Sequence, residues 1–584
     1  MQSKSSSNFR SPWAVASLFA LIAAAVYFVP YLVPVQQPTN SLSYLAGYSN
    51  RTAVVLLVLG ALGFAFYTKG EIARVEEGES KLSLRVLLIS LSSFALLCIG
   101  RRYISMHHFP GGEAQFFLDR QQLLASGEKL YRQIDFMYGP LLLYPGYLFA
   151  KVMGVSQVSG YYLWWGIQWL IGVTMTWLFC RFVDIGKSRR LTLFIFLLIP
   201  QISSIKDEGS NYTPVRLFCA ATLILAVMYV WKRTSDPIRL AIAAVAASAL
   251  GLAVSPEQGL AVLVAMDAYL VLLAWHNRNL KYLVALGILF LGGVVMLTIA
   301  AHAGLFISLS DFASGGLAFP ILASPRTLII LFVYVMAACV FYRKVSLGVI
   351  DSTTIPLVVA GCVILPSAMG RCDMGHMMSA MPAFAVGSAA ILERPTLRRI
   401  WFPFALALLL IIPVIGIYWV SIMKRVHHFT APVASATASP GAPPSTMAAP
   451  ENALPGTAEL PCDQQYFSPS VVPSPVPVRL LECLDNGFYL GTQDVLTTRA
   501  ILRKREELVQ RPTVPVILQN GPIEDNFVLE TDLQALRATE LSPYAPRARN
   551  PRLSYEPLVS YLRDHYTAGP VIANGRLRIY YPRP

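Results

Sequence analysis

The sequence predicts an all-α polytopic membrane domain of about thirteen transmembrane helices, with interfacial helices in its first large outer loop, followed by a small α/β extracytoplasmic domain. Three observations carry this reading. Of 584 residues, 55% are hydrophobic and only 14% charged, and the mean hydropathy is +0.53; such a composition needs a bilayer as part of its solvent. Apolar runs of membrane-crossing length recur as far as residue 423. An Ala/Pro/Ser/Thr-rich stretch and then a polar segment follow them. The net charge of +14 does not point to nucleic acid, because Lys and Arg are spread through short loops rather than gathered on one face.

The crossings are expected at 13–34, 53–67, 86–100, 161–182, 191–205, 215–231, 240–254, 260–275, 283–300, 328–342, 355–369, 377–392 and 402–423. Lys4 and Arg10 precede the first, whose apolar run exceeds a signal-peptide core, so it reads as a retained anchor. Leu141–Met153 is short and contains Pro145-Gly146; if it crossed, every later loop would change sides. With this segment at the interface, twenty Lys and Arg residues fall in cytoplasmic loops, among them Arg181, Lys187, Arg189, Arg190, Lys232, Arg233 and Arg239. Were it to cross, fourteen of the twenty would lie outside. The positive-inside rule therefore sets the N-terminus in the cytoplasm and the C-terminal domain outside a bacterial-type inner (plasma) membrane.

Residues 1–429 form the expected membrane domain, 430–461 an extended linker that cannot bury a core, and 462–584 the soluble domain. In the last, Val495–Val509 reads as helix, Val514–Leu518 as strand, Leu558–His565 as helix and Val571–Tyr581 as a strand pair. Cys462 and Cys483 suit a disulfide in an oxidising compartment, worth about 3 kcal/mol by loop entropy. The other six cysteines lie in or beside apolar runs and read as small core residues.

The loop from Phe109 to Gly146 is the most informative segment. Phe116, Phe117, Leu123, Leu124 and Leu130 can form an apolar stripe, with Asp119, Arg120, Gln121, Gln122 and Lys129 on the wet side of a helix lying on the bilayer. That leaves Glu113 and Asp135 to be explained, each beside turn-forming residues. The same charge count puts Lys206, Asp207, Glu208, Glu257, Asp311, Arg371, Asp373 and His376 on the outer side. Lys206-Asp207-Glu208 reads either as a solvated loop or as an acid–base patch. Arg216 is placed to snorkel toward it, and Glu257 starts a helix whose dipole favours its charge. Asp267 sits mid-span, and His107 and His108 read as solvated polar residues.

The run GGEA…LLASGEKLYRQIDFMYGPLLLY resembles the first outer loop of the GT-C membrane glycosyltransferases, a superfamily that includes protein O-mannosyltransferases and lipid A aminoarabinose transferases. The likeness is close over this loop and elsewhere extends only to the many-helix layout with a soluble C-terminal domain. It implies transfer of a sugar, with inversion, from a polyprenyl-phosphate donor to a glycan, lipid or protein acceptor outside the membrane. Glu113 takes the place of the family's catalytic acid, which is usually Asp, and Asp135 that of the acid before the Tyr-Pro element. Such chemistry needs a carboxylate base and cations for the departing phosphate. Arg371, His376 and Lys206 are the candidates for the phosphate, and Asp207 and Glu208 for the acceptor or a second acid. No zinc, P-loop or dinucleotide motif occurs in the sequence, and a divalent cation would have to use Asp207 and Glu208. The alternative is a secondary transporter or lipid-linked-glycan flippase, which calls for repeats, broken helices and charges near the midplane.

Overall fold

The computed structural model describes residues 82–105, 113–134, 136–183, 189–205, 208–313, 325–346, 349–369, 381–393, 398, 498–523, 556–572 and 577–584. In a bilayer each backbone N–H and C=O must be bonded within its own segment, so the apolar runs wind into helices. These are α1 (Leu84–Ser105), α2 (Glu113–Ala125), α3 (Tyr144–Met153), α4 (Gln157–Phe182), α5 (Arg190–Ser204), α6 (Pro214–Leu217) and α7 (Cys219–Thr234). They continue with α8 (Pro237–Val254), α9 (Pro256–Asn277), α10 (Leu280–Ala303), α11 (Leu305–Ala313), α12 (Pro325–Ser346), α13 (Thr354–Met369) and α14 (Met381–Leu392).

Among the described residues, five helices are long and apolar enough to cross a membrane: Leu84–Tyr103 within α1, and α4, α8, α9 and α10. The chain is a multi-pass membrane protein. Helices α5, α7, α12, α13 and α14 occupy five more of the expected crossings. The expected spans 13–34, 53–67 and 402–423, the linker 430–461, and Cys462 and Cys483 lie outside the described residues. With ten residues, α3 is about 15 Å long, half the thickness of the hydrocarbon layer. Its length suits the interfacial expectation for Leu141–Met153.

Small residues set the helix contacts, as they do where lipid is the competing solvent. A Cβ on Gly259 of α9 would come within 2.4 Å of the Leu252 backbone nitrogen of α8, and one on Gly387 of α14 would press on the Val333 carbonyl of α12. Loop contacts pair segments that the charge count assigns to the same side. Gly139 N–H donates to the Val254 carbonyl at 3.0 Å, Arg132 to the His302 carbonyl at 2.8 Å and Arg101 meets Glu208. On the other side, Lys344 meets Asp351 and the Trp177 indole donates to the Ser83 carbonyl.

The described part of the C-terminal region contains α15 (Thr498–Gln510), β1 (Val516–Gln519), α16 (Glu556–His565), β2 (Tyr566–Ile572) and β3 (Leu577–Pro582). The strands form an antiparallel sheet in the order β1-β3-β2. Its own apolar core joins Leu508, Leu558 and Leu562 of the helices to Val516, Leu518 and Tyr580 of the strands. Strand β2 begins earlier than the expected Val571, because buried Tyr566 anchors it by donating to the Val514 carbonyl at 3.1 Å. Cys98, Cys180, Cys219 and Cys339 are buried as expected, but Cys362 is exposed; it lies on a face of α13 that no described helix covers.

Two outcomes follow from these contacts. Gly259→Val should destabilise the folded protein by about 1–3 kcal/mol, read as a lower melting temperature in detergent, whereas Gly287→Val, where an added Cβ meets nothing within 4 Å, should leave it nearly unchanged. Burial pushes Asp351 up, but bonds from Lys344 and from the Thr354 and Thr353 amides outweigh it and hold its carboxyl below the usual range. A depressed folded-state pKa gives stability that is complete above the unfolded value, about 3.9, and lost as pH falls through the lower folded one. Melting scans of Asp351→Asn against the parent should therefore differ at pH 7, and the difference should begin to shrink only as pH falls below about 4.

Candidate functional site

The loop between α2 and α3 is folded against the bundle by its own sequence. Tyr131 adopts a positive φ of 68°, closing a turn in which its N–H donates to the Ile134 carbonyl at 3.0 Å. Its hydroxyl donates to the Tyr138 carbonyl at 2.7 Å; burial, with a smaller contribution from Tyr144, pushes this phenol up and keeps it a donor. The Ser308 hydroxyl of α11 accepts from the Phe136 N–H at 2.9 Å and donates to the Phe136 carbonyl at 3.0 Å. Ile134 and Phe136 are fully buried. The backbone on either side of Asp135 is thus fixed, although Asp135 itself lies outside the described residues.

Tyr138-Gly139-Pro140 then docks on the end of α8. A Cβ at position 139 would sit 2.2 Å from the Ala253 carbonyl oxygen, so only glycine allows this approach. Pro140 opens a 3-10 turn over Pro140–Leu142. The Tyr138 ring lies 4.7 Å from the Arg216 guanidinium carbon, and its hydroxyl accepts from Asn211 at 3.1 Å. Arg216 donates to Glu257 through Nε and Nη2, both at 2.8 Å, and to the Asn211 carbonyl at 3.1 Å. Glu257 also accepts from the Ser255 hydroxyl.

This corrects two expectations. Arg216 does not snorkel: it is buried in a cation–π contact and an ion pair. Glu257 does begin α9, but its carboxylate is directed at Arg216 and Ser255 rather than left to the helix dipole alone.

A second ion pair lies on the same side of the bundle. Glu208, 3% exposed, meets Arg101 Nε at 2.6 Å and accepts from the Tyr162 hydroxyl at 2.5 Å. The Tyr161 hydroxyl donates to its carbonyl at 2.6 Å. Arg102 stacks over the Tyr162 ring at 4.3 Å. Glu208 has a positive φ of 54°, a conformation that costs a non-glycine residue about 1 kcal/mol or more and persists only where the surroundings hold it. The solvated-loop reading therefore fails for Glu208: low dielectric strengthens its ion pair, and two tyrosines complete its bonding. Its carboxylate is engaged by protein donors and is not an open cation ligand. Among the described residues no group of three His, Cys, Asp or Glu side chains is placed to hold a metal.

Helix α2 differs from expectation as well. Of the residues expected on its wet side, Asp119, Arg120 and Gln121 are 5%, 3% and 0% exposed and packed inside protein, Gln122 is half-buried, and Lys129 beyond the helix is exposed as expected. The cause is small-residue contact: Gln121 Nε2 donates to the Leu143 carbonyl at 3.2 Å in the space left by Gly146. Arg120 folds back over the Phe116 ring at 3.7 Å. Phe117 of α2 stacks between Tyr138 and Tyr161, at 6.0 Å from each, linking the loop to the Glu208 pair. Glu113 is the first residue of α2.

Of the residues expected to act, the structure describes Glu208 fully and Glu113 as a backbone position; Asp135, Lys206, Asp207, Arg371, Asp373 and His376 lie outside the described residues. Residues that sequence reasoning passed over are Arg101, Arg102, Tyr161, Tyr162 and Ser308. Two arginines at the end of a span that the charge count expects to face outward run against the positive-inside rule, which was the available signal for a local partner.

No protein-family model and no curated protein sequence matches this chain. Among solved structures it is similar to the crystal structure of ArnT from Cupriavidus metallidurans bound to undecaprenyl phosphate, with TM-score 0.36 and 12% identity over 82% of this chain and 78% of that one. The apo state of the same protein aligns with TM-score 0.34 and 13% identity over the same shares. Scores this low do not establish a shared fold.

Removing one partner of the buried Arg216–Glu257 pair should cost about 3–5 kcal/mol. Arg216→Met is thus expected to lower the melting temperature sharply, and Arg216→Met with Glu257→Met to recover much of the loss. Equal melting of both variants and the parent would show that the pair does not anchor the loop.

Proposed function

We propose that this chain is an integral membrane glycosyltransferase moving a sugar from a polyprenyl-phosphate donor to an extracytoplasmic acceptor. The observation that supports it is the fixing of the 131–140 loop, which carries the GT-C-like motif, beside two buried ion pairs on one side of the bundle. An enzyme site needs such a rigid frame around its acids.

In this reading Glu113 takes the proton from the acceptor hydroxyl as its oxygen attacks the anomeric carbon. The bond from that carbon to the phosphate oxygen breaks, and the polyprenyl phosphate leaves with the electron pair. Arg371, His376 and Lys206 neutralise the departing phosphate. Asp135 and Asp207 orient the acceptor or the base. Glu208, held by Arg101 and Tyr162, positions the loop that carries Lys206 and Asp207. Cys462 and Cys483 pair in the outer domain, which caps the site.

The transporter or flippase alternative draws on Asp267, which is half-buried in the middle of α9. One assay separates the two readings. Membranes containing the full-length protein are given polyprenyl-phosphate sugars, and transfer to endogenous acceptors is followed by mass spectrometry. Glu113→Gln and Asp135→Asn should each reduce transfer by about 100-fold or more, while Asp267→Asn should not. Full transfer in both acid variants would remove the assignment, and movement of label across the bilayer without transfer would favour transport.

A further inference from the structure

We propose that two copies of this chain associate in the membrane through one face of α9, with the Asp267 carboxyls of the two copies hydrogen-bonded to each other. The inference is independent of the reaction and starts from an acid that the candidate site does not use. Asp267 stands eleven residues from Pro256 and ten from Asn277, the two ends of α9. At 1.5 Å per residue each end is about 15 Å away, half the hydrocarbon thickness, so the carboxyl lies at mid-depth. An aspartate side chain is too short to reach either surface from there. Acids at such a level normally face the bundle interior and pair with another group.

Its own chain offers Asp267 no such group. Among the described residues it has no hydrogen-bond or ion-pair partner. Leu263, one turn earlier, packs on Gly293 of the returning helix α10, 3.1 Å from where a Cβ would sit. Asp267 therefore lies along the next turn of α10, and between Tyr282 and Thr298 that helix has no polar side chain. None of the thirteen expected crossings has a Lys, Arg or His away from its ends. A carboxylate held in hydrocarbon without a cation is costly, whereas a neutral carboxyl with its hydrogen bonds made is tolerated.

The face beside Asp267 is open. Val264, Val271 and Trp275 are 42%, 52% and 83% exposed; spacings of seven and four residues put them on one side of α9. Asp267 and Ala268 flank this stripe and are half-buried. Val264 and Ala268, four residues apart, are small enough for another helix backbone to come close. The occupant that fits is a second copy. Copies inserted the same way are related by a two-fold axis along the membrane normal, which sets each residue against its counterpart at the same depth. A neutral carboxyl has one donor and acceptor oxygens, so two of them exchange two O–H···O bonds. A foreign helix would need a polar group at the matching level; the second copy supplies one by symmetry.

The test uses full-length protein in liposomes, with donor- and acceptor-labelled copies mixed at falling protein-to-lipid ratio. Energy transfer should report dimers that dissociate on dilution. Asp267→Leu should weaken association about tenfold. Asp267→Asn should stay close to the parent, because its amide also donates and accepts. Under oxidation Val264→Cys and Val271→Cys, which leave Asp267 in place, should crosslink between copies, whereas the parent with its native cysteines and Val295→Cys on the exposed side of α10 should not. Monomers at every density would overturn the proposal and give the face to another segment of this chain, such as the expected crossings 13–34, 53–67 or 402–423. Equal association of the Leu variant and the parent, or crosslinks through position 295 alone, would also overturn it. An Asn variant as weak as the Leu variant would replace the carboxyl pair with an ion pair to a foreign cation.

Discussion

The ion pair between Arg216 and Glu257 is the constraint on which the outer end of the bundle depends. It joins the start of α9 to the short helix α6, and through Tyr138 and Asn211 it joins both to the loop after α2. Two buried charges are costly by themselves. Here the Asn211 carbonyl takes a further Arg216 donor and the Ser255 hydroxyl binds the second Glu257 oxygen, so part of the cost is offset and the geometry is narrowed. The Tyr-Gly-Pro element owes its residue types to this arrangement: an aromatic face for the guanidinium, no Cβ against Ala253, and a fixed φ to start the next turn.

The Arg101–Glu208 pair repeats the device on the neighbouring side of α4, with Tyr161 and Tyr162 as its partners. Phe117 stacks against Tyr138 on one side and Tyr161 on the other. The two pairs are therefore linked through one aromatic contact as well as through the backbone. This rigid frame contrasts with the side of α10 carrying Phe290, Leu291, Val295 and Ile299, which among the described residues is left exposed.

Much of the helix layout was legible in the sequence because hydrophobic length is a strong signal in a membrane protein. The interfacial expectation for Leu141–Met153 came from its shortness, Pro145-Gly146 and the charge of Arg181, Lys187 and the later basic loops, and the ten-residue length of α3 suits it. The packing of α2 was not legible. A stripe of Phe116, Phe117 and Leu124 implies one apolar face, and nothing in the pattern announces that Asp119, Arg120 and Gln121 will also be enclosed by α3 and α4. Arg101 and Arg102 were missed for a related reason: a charge rule counts residues per loop, whereas their meaning depends on Glu208, more than a hundred residues away. The acids proposed for the chemistry were chosen from motif resemblance, and the geometry adds the fixed backbone around Asp135 rather than its side chain.

The proposed function requires the ion pairs and the loop to lie on the extracytoplasmic side, where the charge count expects them. Sidedness is measured most directly with a membrane-impermeant maleimide on cysteines placed in exposed turns of the full-length protein: Ser126→Cys, beside α2, and Asn279→Cys, between α9 and α10. In intact cells the first should label and the second should label only after permeabilisation. Labelling of Asn279→Cys alone in intact cells would place the whole ionic frame in the cytoplasm and contradict the function built on it.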